Sequence, residues 1–209
     1  VIPCCADFTV FSVVPKRRVK RFRCDFNIPL GSYIVGYLGS VGRMYDMDSW
    51  IRFVQYANER TSVFALIISP NKERAEECIR LLNRDGIRGL ALALYGEQLA
   101  LAVGSVDLMV AFNSITIARD GTSLTKLGES LACGVPFVGS KGIGDSEVIL
   151  RSTGGGCVIN QADVAEFERA WEEKEGFTSG QTLRSNAETW LSVKLGVERY
   201  IEVYERMRF

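Results

Sequence analysis

A lysine and a glutamate lie three residues apart, just inside a predicted helix, in the stretch SLTKLGESLACGVPFVGSKGIGD, residues 123–145. At this spacing Lys126 and Glu129 share one face of the helix, and Ser123 and Thr125 add hydroxyl groups at its start. A lysine at a helix N-terminus opposes the helix dipole unless an anion is bound there. The pattern therefore favours lysine as a ligand for phosphate and glutamate as a ligand for the adjacent hydroxyls of a ribose.

The same two residues also fit a simpler interpretation, an exposed ion pair worth only about 0.2–0.5 kcal/mol, and both interpretations stay open at this stage. A second phosphate signal is the glycine turn after a predicted strand, Gly36-x-x-Gly39-x-x-Gly42, which lets the backbone approach an anion. The dinucleotide fingerprint Gly-x-Gly-x-x-Gly is absent, and no acidic residue follows the second strand to hold a ribose. An NAD enzyme is therefore disfavoured.

The composition restricts the class of protein. The 209 residues carry 25 basic and 25 acidic side chains, 47% hydrophobic residues and no histidine. The balanced charge indicates no nucleic-acid partner, and the lack of histidine disfavours zinc enzymes and serine–histidine hydrolases. The six cysteines match no metal-binding spacing, so we expect reduced thiols in a cytoplasmic protein and no metal site.

Apolar strands alternate with amphipathic helices along most of the chain. Buried strands are predicted at residues 32–38, 62–69, 87–94, 106–112, 135–139 and 155–159. Helices are predicted at 46–59, 71–86 and 96–104, from a cap at Thr122 or Ser123 to Cys133, from 145 to 150, and at 163–173. This order predicts an α/β fold, a doubly wound Rossmann-like parallel sheet of about six strands with helices on both faces.

Three segments follow from this alternation: a linker at 1–30 without regular structure, a Rossmann-like α/β domain at 31–175, and a helical extension at 176–209 that packs back on the domain. The extension is predicted as one long helix with an apolar stripe over 190–207. Its mixed charges favour packing on a protein surface, with peripheral membrane contact as the alternative. The basic run KRRVKRFR, 16–23, is interpreted as a solvated face, with nucleic-acid or membrane contact as alternatives.

The stretch 123–145 resembles the donor-site signature of group 1 glycosyltransferases with the GT-B fold, roughly S-P-T-K-L-x-E-Y-L-A-C-G-x-P followed by G-x-G-D. The segment IVGYLGSVGRMYD, residues 34–46, resembles the first strand and glycine loop of that family's C-terminal domain. The start, VIPCCADFTVF, resembles the segment where the chain leaves the N-terminal domain. The likeness runs in order along nearly the whole chain, and 123–145 is its most specific part.

The resemblance implies a nucleotide diphosphate sugar as the donor substrate, with no cofactor and no metal. By this likeness Lys126 contacts the diphosphate and Glu129 the ribose hydroxyls. Gly39 and Ser40 form the phosphate-facing loop, and Tyr95 lies by the base. The other donor-site candidates in the signature are Ser123, Leu124 and Thr125.

Three positions depart from the family's pattern. Gly121 stands where many relatives have glutamate, and Ser40 and Tyr45 stand where many have arginine and lysine. Arg43 is the candidate to replace the missing positive charge. These departures favour a non-catalytic nucleotide-binding or interaction module as one alternative function.

The resemblance implies the C-terminal, donor-binding half of a retaining glycosyltransferase of the hexosyl type, acting on a glycan or lipid-linked acceptor. The chain is then expected to start at the hinge, to have an N-terminal domain as its partner, and to transfer nothing alone, because the catalytic residues are expected largely in that domain. A nucleotide-sugar 2-epimerase is a further alternative, disfavoured because that class typically relies on histidine.

Overall fold

The computed structural model describes residues 2–42, 44–114 and 122–207, so Arg43 and Gly121 lie outside the described residues. The strands within these ranges are β1 Tyr33–Leu38, β2 Val63–Ile68, β3 Gly89–Leu92, β4 Leu108–Ala111, β5 Phe137–Ser140 and β6 Gly156–Ile159. The helices there are α1 Lys16–Asp25, α2 Met47–Asn58, α3 Lys72–Arg84, α4 Gly96–Val103, α5 Thr125–Ala132, α6 Ser146–Thr153, α7 Val164–Glu173, α8 Gly180–Leu191 and α9 Val193–Arg206.

The strands form one sheet in the order β3-β2-β1-β4-β5-β6, and all five pairings are parallel. The chain moves outward from β1 through β2 to β3, then returns to place β4 on the other side of β1. This confirms the predicted doubly wound Rossmann-like sheet. The reversal between β1 and β4 is the switch point, where such sheets bind ligands at the carboxyl ends of their strands.

Helices cover the sheet through the apolar stripes predicted from the sequence. The stripe of α2 is buried, with Trp50 and Val54 fully inaccessible, and the inward residues of α3 are buried as well. Phe53 of α2 contacts the rings of Phe112 and Phe167, with centroids 5.9 and 5.3 Å away. Strands buried on both faces explain why their sequences are apolar throughout.

The N-terminal segment differs from the predicted linker, because Lys16–Asp25 forms the helix α1. Its apolar residues are too few to give a clear helical stripe, but Phe22 and Arg23 are buried. The Arg23 guanidinium donates hydrogen bonds to the carbonyl oxygen of Ser32 at 2.7 Å and to the Asp107 carboxylate at 2.9 Å. These tertiary contacts, which no local pattern reveals, fix the helix to the sheet.

The C-terminal extension also differs from the prediction, because two helices replace the single one. The backbone is extended at Ser192, whose hydroxyl caps α9 by accepting a hydrogen bond from the Leu195 amide at 3.3 Å. Helix α8 buries Leu183, Ala187 and Leu191. Most of the predicted stripe lies on α9, where its large apolar side chains are exposed. No helix in the described ranges is long and apolar enough to cross a membrane.

Gly134, directly after α5, gives a test of this packing. A Cβ there would lie 2.5 Å from the Gly180 carbonyl oxygen of α8, and φ is +73°. We expect Gly134→Ala to lower the free energy of unfolding by about 1–2 kcal/mol for the left-handed backbone and about 1–3 kcal/mol more for the clash. Urea unfolding measures the change.

Gly86 provides a matched control, because its φ is +76° but a Cβ there has nothing within 4 Å. Gly86→Ala should show the backbone cost alone, about 1–2 kcal/mol. Equal losses in the two variants would contradict the contact between α5 and α8.

Candidate functional site

A cleft of about 360 Å³ lies at the carboxyl ends of β1, β2 and β3, against the start of α5. Its volume falls in the range of small-molecule sites, roughly 300–1,000 Å³. The sequence candidates that line it are Gly39, Ser40, Tyr95, Ser123, Leu124, Thr125, Lys126 and Glu129. Three stretches of the chain at least 28 positions apart thus meet beside the switch point, the place that the fold favours for a ligand.

The Lys126 side chain is buried between two tyrosine rings at the cleft. It is only 6% exposed, and its Nζ lies 3.7 Å from the centre of the Tyr45 ring and 4.5 Å from that of Tyr37. The Tyr37 hydroxyl oxygen is 3.4 Å from Nζ, a long hydrogen bond. Among the described residues no carboxylate lies within 4 Å of Nζ, so the exposed ion pair with Glu129 is not formed.

The loop after β1 wraps around this ammonium group. Gly39 has a φ of +118°, and a Cβ at this position would lie 2.9 Å from Lys126 Nζ. The buried Tyr37 hydroxyl donates to the Ser40 carbonyl oxygen at 2.7 Å, so one phenol connects the loop backbone with the lysine. Glycine is therefore required at position 39 both for the turn and for room beside the cation.

Burial perturbs both charged groups in the cleft. Desolvation lowers the pKa of Lys126 to about 7, against the opposing effect of the Glu129 carboxylate. Burial likewise raises the pKa of Glu129, and Lys126 counteracts it. Each group is thus held in surroundings that disfavour its charge. An anion beside Lys126 and hydroxyl donors beside Glu129 would relieve both.

The start of α5 is arranged differently from the prediction. The N-cap is Leu124, with no side-chain cap, so neither Thr122 nor Ser123 caps the helix. The Ser123 hydroxyl instead accepts a hydrogen bond from the Cys4 amide at 2.8 Å, which holds the N-terminal segment against the motif. The cap predicted from the sequence is wrong because the Ser123 hydroxyl is bonded instead to Cys4, which lies 119 positions away in the chain.

Two aromatic residues of the site are absent from the sequence candidates. Tyr45 is recognised in the sequence only as a departure from a basic residue, yet its ring covers Lys126. Tyr37 fits the pattern of a buried strand and gives no local signal of a role in the site. Arg43, the candidate replacement charge, lies outside the described residues. Among those residues, no group of three or more metal-binding side chains occurs.

Comparison with known proteins gives no match to a family model and none to a curated sequence. Solved structures do match. A glycosyltransferase from Rickettsia africae superposes with a TM-score of 0.76 at 10% identity, covering 99% of this chain and 56% of that one. The Anabaena protein HepE in complex with UDP-glucose gives 0.72 at 12% identity, covering 96% and 56%.

A third structure, the C-terminal domain of a group 1 family glycosyl transferase (LpcC) from Francisella tularensis, gives 0.66 at 15% identity and covers 90% of this chain and 99% of that domain. At these identities the likeness shows the fold alone. The chain has the fold of the C-terminal domain of GT-B glycosyltransferases. The resemblance found in the sequence is thus confirmed for the fold. It spans about half the length of the first structures it matches, 56% and 57%.

The buried lysine predicts a specific pH dependence of stability. In the unfolded chain its pKa is about 10.4, while in the folded chain it is about 7, so between these values the unfolded state binds more protons. The contribution of Lys126 to the free energy of unfolding should therefore rise with pH above 7, by up to roughly 1.4 kcal/mol per pH unit. Below pH 7 this contribution has its lowest value.

Urea unfolding of wild type and Lys126→Met at pH 7, 8 and 9 measures this effect. The variant should be the more stable at pH 7, and its advantage should shrink as the pH rises. Lys72→Met, at an exposed position of α3, should show no such trend over this range. A constant difference between wild type and Lys126→Met would contradict the lowered pKa.

Proposed function

We propose that this chain is the donor-binding half of a retaining glycosyltransferase that moves a hexose from a nucleotide diphosphate sugar to a glycan or lipid-linked acceptor in the cytoplasm. The observation that carries the proposal is the Lys126 ammonium, which is buried in a cleft of ligand size with no carboxylate within 4 Å among the described residues. A buried cation without an anionic partner is costly, and a bound diphosphate supplies that partner.

The diphosphate in this proposal lies between the loop at Gly39 and Ser40 and the start of α5. The helix end has no side-chain cap, and its dipole and Lys126 both attract an anion. During transfer, negative charge develops on the departing diphosphate. A preorganised ammonium in a desolvated site stabilises that charge more than water does.

The rest of the donor follows the cleft. The Glu129 carboxylate, half-buried on the same face of α5, accepts hydrogen bonds from the two ribose hydroxyls. The exposed Tyr95 ring, at the end of the cleft formed by the segment after β3, lies by the base. Support for such a ligand comes from the similar fold of the Anabaena protein, which was crystallised with UDP-glucose. No cofactor takes part.

The acceptor site belongs, in this proposal, to an N-terminal domain. The chain covers 56% of the Rickettsia enzyme, and the isolated domain from Francisella matches over 99% of its own length. A donor domain by itself binds the nucleotide but does not bring an acceptor to the sugar. We therefore expect donor binding without transfer from these 209 residues.

A non-catalytic nucleotide-binding module is the second candidate, favoured by the Tyr45 ring. Many relatives have a lysine where Tyr45 stands, and here the ring covers Lys126 from 3.7 Å instead of adding a second charge. Sugar transfer by a longer chain that includes an N-terminal domain would exclude this candidate. An epimerase remains disfavoured by the absence of histidine from these 209 residues.

Thermal unfolding in the presence of UDP, GDP or ADP tests the proposal. One nucleotide should stabilise the chain, by about 2.7 kcal/mol at 100 times its Kd. Lys126→Met should remove the advantage of the diphosphate over the corresponding nucleoside, because the cation is lost. Glu129→Gln should remove the advantage of the ribonucleotide over its 2′-deoxy form, because a neutral amide accepts the hydroxyl bonds less well.

Lys72→Met again serves as the control, since it removes an exposed lysine of α3 and should leave nucleotide binding unchanged. The donor-site proposal is overturned if no nucleotide stabilises the chain. It is overturned equally if the Lys126→Met and Glu129→Gln variants bind nucleotide as wild type does.

A further inference from the structure

The outer face of α1 concentrates positive charge. Five of its side chains are basic and exposed, and they spread over roughly the half of the helix surface that the buried Phe22 and Arg23 leave free: Lys16, Arg17, Arg18, Lys20 and Arg21. The first turn has no acidic residue and no side-chain cap, so these charges oppose the helix dipole. Because the whole chain carries equal numbers of acidic and basic residues, the basic face is a local feature.

Helix α1 presents this face rigidly. The Arg23 guanidinium, only 8% exposed, donates to the carbonyl oxygens of Leu30 and Ser32 at 3.3 and 2.7 Å, and to Asp107 at 2.9 Å. The Phe22 ring packs into the core against Phe26, with centroids 4.8 Å apart. The helix that carries the five charges is therefore fixed on the domain.

Exposed aliphatic side chains lie on both sides of the basic face. Leu30, 56% exposed, lines an open cleft of about 540 Å³ together with Lys16 and Lys20. Val10, 39% exposed, lines another cleft with Arg18 on the other side of the helix. Acidic groups border the face in three places, and Asp107, the partner of Arg23, lines the cleft of Lys16 and Lys20. Asp25 lies 3.6 Å from Arg21, and Glu97 lines the cleft of Arg18.

We propose that α1 docks this domain on an anionic phospholipid surface. The five basic side chains bind the headgroup phosphates, and Leu30 and Val10 contact the boundary between headgroups and acyl chains. A basic helix with apolar side chains at its borders fits such an interface. A nucleic-acid backbone offers phosphates but no apolar layer, so the two aliphatic side chains favour the lipid.

The cleft that Leu30 lines beside α1 and the donor cleft lie at opposite ends of β1. The cleft beside α1 is lined by Ser32 and Tyr33 at the start of β1, and the donor cleft by Leu38 and Gly39 at its end. Six residues of strand separate them by roughly 20 Å. The Leu30 side of the docking surface therefore lies away from the donor cleft, and the inference does not depend on the proposed function.

Co-sedimentation of the chain with lipid vesicles tests the proposal. We expect binding to phosphatidylcholine vesicles that contain about 30% phosphatidylserine, and none to pure phosphatidylcholine, at about 0.15 M salt. Arg17→Gln/Arg21→Gln should weaken binding roughly 30-fold, from the usual contribution of a basic residue near an anionic surface. Leu30→Gln should weaken it further without changing the charge.

Arg80→Gln/Arg84→Gln on α3 is the matched control. It removes two exposed arginines from a helix, one of them near an acidic neighbour as in α1, with Arg80 3.9 Å from Glu77. This variant should bind vesicles as wild type does, and circular dichroism should show all variants folded.

Three results would overturn the inference: no binding of wild type to anionic vesicles, equal weakening by the α1 and α3 pairs, or vesicle binding unchanged by Leu30→Gln. Fluorescence anisotropy with a short labelled DNA duplex measures binding to nucleic acid, the alternative partner of the basic face. Tight duplex binding that depends on Arg17 and Arg21, without vesicle binding, would assign the face to nucleic acid instead.

Discussion

The burial of one ammonium group, that of Lys126, sets the requirements for the residues around it. Withdrawing a cation from water costs several kcal/mol, while a cation–π contact returns about 0.5–2 kcal/mol. Two such contacts and one long hydrogen bond leave the group under-solvated. The absence of a side chain at Gly39 leaves room beside the cation, and the uncapped start of α5 adds positive electrostatic potential there, so both favour an anion at this position.

The helix that carries this lysine is held in place by segments distant in sequence. At its start, Ser123 binds the Cys4 amide, and beyond its end the Gly134 carbonyl accepts from the Gly180 amide at 2.7 Å. The Arg184 guanidinium of α8 donates to the Ala132 carbonyl oxygen at 2.8 Å and also binds the carbonyl oxygens of Phe8 and Phe11. The N-terminal segment, α5 and α8 are thereby joined through one side chain. Such fixed surroundings let an unfavourable charge persist in the cleft.

The parts of the molecule that local patterns determine were predictable from the sequence. The six strands and the buried faces of α2 and α3 follow from apolar runs and helical periodicity, and their order implies the parallel sheet. The residues of the candidate cleft were predictable where a motif places them together, as at Lys126 and Glu129. Helix α1, the break at Ser192 and the ring of Tyr37 beside the lysine were not, because each depends on contacts between residues far apart in the chain.

Positive charge is used in two physically different ways in the donor cleft and on α1. The Lys126 ammonium is buried, so a partner anion acts on it through a low dielectric and replaces little water, which favours a small, precisely placed ligand. The charges of α1 are exposed and hydrated, so each contributes little alone and their attraction is screened within about 8 Å at physiological salt. Only a partner that meets all five together gains substantially from them. An extended anionic surface meets this condition, and a small anion does not.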